Sequence, residues 1–235
     1  MFLYYAASAF TIWMIIDAIR RRAEYYWYLI ILFVPFGSLI YFALVKVKDW
    51  DLGRRLPGAG TKDVSRLHRK LQETPSVANK LELADALEGA ERFQEAEPLF
   101  REVLEQDPGN LQSLHGLARC AMSDGRFDEA VEYLEKLLGE DNAYRDYGAA
   151  LDYAEALWRN GQRDDTVEVL EGLVAISTRV NHHVALAHYL QEDGRTARAR
   201  EVLERGLANW ETSPDFVQRR DEKWARRARK MLAQL

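Results

Sequence analysis

Two kinds of apolar pattern divide the chain. Met1 to Ile16 and Tyr25 to Val45 are uncharged runs with no polar face. From Ser76 onward, apolar residues instead recur at three- and four-residue intervals, so each helix they predict keeps a polar side. At 1.5 Å rise the second run makes about 32 Å of helix, enough to cross a hydrocarbon core of about 30 Å. The first makes about 24 Å and spans if Asp17 to Ile19 extend it into the headgroups. Tyr25, Tyr26, Trp27 and Tyr28 cluster at one end of the second run, as amphipathic rings do at a membrane interface. A two-helix transmembrane hairpin is therefore expected over residues 1–47. A cleaved leader is disfavoured, because Arg20, Arg21 and Arg22 follow the first run instead of preceding it. Lys46, Lys48, Arg54 and Arg55 outnumber the three loop arginines, which predicts both termini and the rest of the chain on the cytoplasmic side of a bacterial-type cell membrane.

Residues 48–62 contain Gly53, Pro57, Gly58 and Gly60 and read as a linker. A polar helix is expected from about Asp63 to Glu73. Beyond it the sequence repeats. Ala96 is followed four residues on by Phe100, Ala130 by Leu134, Thr166 by Leu170 and Ala199 by Leu203. The small residues lie 34, 36 and 33 apart. Upstream of each pair is a second apolar set at helical spacing, such as Leu83, Ala84 and Leu87, or Leu117, Ala118 and Ala121. Gly89, Gly125, Gly161 and Gly194 mark the turns between the two sets. Each unit is a helix–turn–helix that cannot bury its apolar face alone, so the units must stack. Ser213-Pro214-Asp215 reads as a further helix start, with Ser213 as N-cap, and the helix continues to about Leu235. Its apolar stripe of Val217, Trp224, Ala228, Met231 and Leu235 suits a capping helix.

The small/large pattern and the period resemble the tetratricopeptide repeat family, with four units over about 77–212. The expected fold is all-α: a transmembrane hairpin, a linker, then over 63–235 a solenoid of about four helix pairs plus a capping helix. Separately, Asp17, Trp27, Pro35, Gly37 and Tyr41 over about residues 5–50 resemble the N-terminal membrane domain of the cardiolipin synthase and phospholipase D family. In that family the segment is an anchor, not the catalytic part. The family's His-x-Lys-x4-Asp motif begins at His68-Arg69-Lys70 but has Pro75 where aspartate is needed, and no second copy follows.

Charge sharpens this picture. Of 32 Lys+Arg and 37 Asp+Glu, residues 61–210 hold 18 and 29, so the middle is strongly acidic between two basic ends. A nucleic-acid binder would carry a basic stripe over its main domain, so no nucleic acid is expected as a partner. The single cysteine, Cys120, excludes an intrachain disulfide. His68, His115, His182, His183 and His188 lack the spacing of a metal site. No phosphate loop, dinucleotide fingerprint or nucleophile elbow appears. The carboxylates read as solvated helix faces. No enzyme activity, metal or cofactor is expected.

What remains is a binding surface. In the tetratricopeptide family the first helices of successive units line a groove, which implies Leu81, Asp85, His115, Arg119, Met122, Leu151, Glu155, Trp158, Val184 and His188 as groove residues here. Leu81 and Asp85 stand where some members carry the first pair of a carboxylate clamp, so a protein partner offering basic residues suits the acidic middle better. Arg219, Arg220, Lys223, Arg226, Arg227 and Lys230 on the final helix are candidates for contact with an anionic surface. The expectation is a membrane-anchored scaffold that holds a protein partner in its groove. The rivals are a non-catalytic auxiliary subunit of a phospholipid-processing or envelope-assembly enzyme, and a binder of anionic lipid or nucleic acid through the final helix.

Overall fold

The computed structural model describes residues 59–235, with side chains from Asp63 onward. The hairpin expected over 1–47 and most of the linker lie outside these residues. Among the described residues there are ten helices: α1 (Ala59–Glu73), α2 (Val77–Gly89), α3 (Phe93–Gln106), α4 (Leu111–Ser123), α5 (Phe127–Glu140), α6 (Tyr144–Arg159), α7 (Arg163–Ile176), α8 (Val180–Glu192), α9 (Thr196–Glu211) and α10 (Asp215–Leu232). None of them is long and apolar enough to cross a membrane. Helix α1 begins at Ala59, ahead of the start expected near Asp63.

The repeat is visible in single hydrogen bonds. Arg92 N–H donates to the Leu87 carbonyl, Arg126 to Ala121, Gln162 to Leu157 and Arg195 to Leu190, at 2.8–2.9 Å. Each bond closes the turn after a unit's first helix in the same way, with one residue held in the left-handed region. Gly125, Gly161 and Gly194 supply that residue in three units, with φ between 77° and 85°. In the first unit it is Glu91, at φ 58°. Gly89, expected to make that turn, is instead the last residue of α2.

The small and large positions of every second helix are fully buried: Ala96, Ala130, Thr166 and Ala199, then Phe100, Leu134, Leu170 and Leu203. Thr166 fits an alanine site because its hydroxyl finds acceptors within its own unit. It donates to the Gln162 carbonyl at 2.9 Å and lies 3.4 Å from that of Ala154. Three apolar clusters run along the solenoid. The front one joins Val64 and Leu67 of α1 to Leu83, Leu87, Phe100 and Cys120. The middle one joins α4, α5 and α6 through Leu114, Ala130, Leu134 and Ala156. The rear one extends from Ala154 through Leu186 and Leu203 to Ala225 and Met231 of α10. Gly116 leaves room for the Phe100 ring, which a Cβ there would strike. Gly206 does the same for His183, whose Cβ would lie 2.6 Å from an added methyl.

The extra length of the third unit falls at the start of α6, where Arg145, Asp146 and Tyr147 are all left-handed. Helix α10 packs on α8 and α9 through Asp221, Ala225, Ala228 and Met231. Ser213 does not cap it. Its Oγ donates back to the Asn209 carbonyl at 2.7 Å and closes α9, which leaves Pro214 as the N-cap residue with no side-chain bond to offer.

Candidate functional site: the groove face

Helices α2, α4, α6 and α8 are the first helices of the four units, and α10 lies beside α8. Two adjoining cavities open along them. The larger, about 510 Å³, is lined by Glu88, Gly89, Glu91, Phe93, Arg119, Met122, Ser123, Asp152 and Glu155. The smaller, about 200 Å³, is lined by Leu151, Asp152, Glu155, Asn181, Val184, Ala185, His188, Tyr189, Trp224 and Arg227. Asp152 and Glu155 of α6 belong to both, so the two form one groove with carboxylates at its centre.

Local structure fixes those carboxylates differently. Asp152 Oδ2 lies 2.8 Å from His115 Nε2, and the His115 ring meets Tyr144 edge-on at 5.6 Å. His115 is only 3 % exposed. It is therefore a buried support for Asp152 across the α4–α6 junction and not the surface contact expected from sequence. Glu155 is exposed and close enough to Tyr189 to add to burial in pushing that phenol up to about 12. Glu88 Oε1 pairs with Arg119 Nε at 2.8 Å. Burial raises the Glu88 carboxyl above its ordinary value, and Arg119 opposes that rise. The result is an acidic stretch that runs from Glu88 and Glu91 to Asp152 and Glu155 at the centre, and an end where Leu151, Val184, Ala185 and Trp224 supply apolar surface with His188 and Arg227 beside it.

Six expected groove residues reach these cavities: Arg119, Met122, Leu151, Glu155, Val184 and His188. Leu81 packs partly into the front cluster, and Asp85 accepts a 2.7 Å hydrogen bond from Gln112. The Trp158 ring lies against Tyr189 at 5.0 Å and under the Arg163 guanidinium. Asp152, one residue from Leu151, and Glu91 also line the groove and lie outside the set implied by the family pattern. The repeat intervals place Glu91 at the turn, level with Gly125, Gly161 and Gly194, but those glycines line neither cavity, so the alignment gives no groove signal.

The final helix also divides. Arg220 spends its guanidinium on Asp221, at 2.8 and 2.9 Å. Asp221 is 2 % exposed, which corrects the expectation that the carboxylates are solvated. The Arg220 hydrogen bonds hold its carboxyl below the ordinary value against the cost of burial. Arg227 lies over Trp224 at the groove. Cys120 is buried, and burial pushes its thiol up to about 12, which leaves it unreactive. Among the described residues no three potential ligands converge on a metal position.

The tetratricopeptide repeat profile matches residues 87–149 and again 121–187. A crystal structure of nearly identical TPR-like repeats from Podosopora anserina, named for kinesin light chain, is similar at 28 % identity and a TM-score of 0.57. The match covers 68 % of this chain and 91 % of that one. MamA from Desulfovibrio magneticus RS-1 superposes with a TM-score of 0.59 at 16 % identity, over 72 % of this chain and 94 % of that one. MamA from MSR-1 gives 0.55 at 17 % identity over 74 % and 99 %. The MamA likeness is one of fold. The chain thus carries tetratricopeptide-type repeats in an all-α solenoid, a fold typical of protein-interaction scaffolds.

Proposed function

We propose that the chain is a membrane-anchored adaptor that holds a segment of a protein partner in the groove. Residues 1–47 act as the transmembrane hairpin, and the solenoid works on the cytoplasmic side of a bacterial-type membrane. The observation that carries the groove reading is the sharing of Asp152 and Glu155 between two adjoining cavities. One continuous trough then offers a central negative charge next to an apolar recess. A partner segment with a basic residue opposite those carboxylates and an apolar residue in the recess matches it. Anchoring raises the effective concentration for partners at the same membrane. The groove offers contact area and charge, and no nucleophile–base pair is part of it.

A photo-crosslinker at His188 in full-length protein, activated in membranes, tests the reading. The expected result is one partner, still captured by a chain lacking residues 1–47 and lost with Glu155→Lys. Loss of the partner on removing residues 1–47, with Glu155→Lys harmless, would support the auxiliary-subunit reading, in which the hairpin itself docks. Full-length protein extracted by alkaline carbonate would overturn the anchor.

A further inference from the structure

The face of α10 turned away from the solenoid is strongly basic. At about 100° per residue, Arg219, Lys223, Arg226 and Lys230 fall within about 60° of one another. All four are exposed. They lie opposite Asp221, Ala225, Ala228 and Met231, which bury α10 against α8 and α9. Half of the arginines of the repeats lie 2.6–2.9 Å from a carboxylate, as Arg101 does from Glu97 and Arg126 from Glu129. On this face Arg226 only approaches Glu222, at 3.9 Å, and among the described residues Arg219, Lys223 and Lys230 form no ion pair. Lys223 instead lies over the Trp224 ring.

The same face carries Phe216, three residues before Arg219 and 66 % exposed. Among the described residues only Ile176, at 64 %, is a comparably exposed large apolar side chain. A row of four cations, three of them outside any ion pair among the described residues, that ends in an exposed phenyl ring has the chemistry of a surface that meets phosphate headgroups and seats one ring at the acyl boundary.

We propose that this face of α10 docks on an anionic bilayer, with Arg219, Lys223, Arg226 and Lys230 against lipid phosphates and Phe216 inserted at the interface. The choice of a bilayer over a polyanion rests on the membrane reading of residues 1–47. Docking adds a second, charge-dependent attachment.

The test uses full-length protein carrying an environment-sensitive dye on a single introduced cysteine, Gln234→Cys, exposed just past the end of α10 and four residues beyond Lys230. Cys120 is buried and stays unlabelled. Vesicles of phosphatidylcholine with phosphatidylglycerol should shift the dye to the blue and protect it from iodide, and phosphatidylcholine alone should not. High salt should remove the shift. Arg219→Gln with Lys223→Gln should lower the ratio of docked to undocked α10 about thirtyfold, at one basic residue's worth of attraction each. Phe216→Ser should weaken it further, and Ile176→Ser should not. An equal shift with neutral vesicles would overturn the proposal, as would no shift with either. So would a shift produced by duplex oligonucleotide and not by vesicles. Carbonate extraction separates the two readings: protein recovered in the soluble fraction that still answers to anionic vesicles refutes the anchor and keeps the docking face.

Discussion

The front and rear of the solenoid solve one packing problem with opposite chemistry. At the front, a glycine of α4 admits the ring of Phe100, which is fully buried in an apolar cluster. At the rear, a glycine of α9 admits His183, and the junction around it is polar. His183 Nδ1 donates to the Arg179 carbonyl at 3.0 Å, and His182 Nδ1 lies 2.8 Å from Ser177 Oγ. Arg179 pairs with Asp146, in the left-handed turn of α6, and comes within 4.0 Å of Asp221 on α10. The Nε2 atoms of both histidines are buried with no hydrogen-bond partner among the described residues. The repeat dictates that a small residue faces a large one. It leaves open whether the large one is greasy or ionisable, and only the second choice makes a junction sensitive to protons.

The largest break in this comparison is at the front. Phe100→Ala should cost about 3–5 kcal/mol, because the ring's transfer energy is lost and a cavity remains beside Gly116. Urea unfolding of the full chain followed by circular dichroism checks it. A loss below about 1 kcal/mol would mean the front cluster collapses around the gap, and the contrast with the rear would disappear.

The rear should answer to pH instead. Burial, then Arg179, lowers His182 from 6.5 to about 4, and burial lowers His183 as well. The folded state therefore holds neutral imidazoles where the unfolded chain takes up protons. That stability is complete above pH 6.5 and is lost as pH falls towards 4, an effect on the order of 2–3 kcal/mol for His182. Asp221 confuses nothing in this window, since its depressed carboxyl gives up stability only below its ordinary 3.8. Glu88 at the front has the opposite sign: its raised carboxyl favours folding below its ordinary 4.5, and that contribution is lost as pH rises. Urea midpoints across the interval should fall for the native chain and fall less for His182→Phe. Parallel curves would remove His182 as the cause.

Much of the solenoid is legible in the sequence because its signal is local. A small residue and a larger one four positions on, recurring at 34, 36 and 33, fix the second helices, and all eight positions are buried. Thr166 could be read as a departure from alanine, yet its hydroxyl needs only a carbonyl one turn back, which every helix offers. The groove was half legible. Helical spacing names the first-helix residues that face outward, but whether one is consumed by its neighbour depends on the next unit. His115 is spent on Asp152, thirty-seven residues on, and no spacing rule within a unit shows it. Asp221 was hidden for the same reason. It sits in a stretch of arginines that reads as a solvated face, and it is buried because α8 and α9 lie beneath it.

The smallest effect comes from the turn of the first unit, and it separates folding from binding. Glu91 occupies the left-handed position that glycine holds in the three later units, at φ 58° against 77°, 85° and 77°. A side chain there costs about 1 kcal/mol, so Glu91→Gly should raise stability by about that much. The same carboxylate lines the larger groove cavity in its acidic stretch. If the groove takes a basic segment, Glu91→Gly should weaken capture of the crosslinked partner while the protein becomes more stable, and Gly125→Ala should lower stability and leave capture unchanged. Should Glu91→Gly stabilise without touching capture, the strained glutamate would have no part in binding, and the acidic stretch of the groove would reduce to Glu88, Asp152 and Glu155.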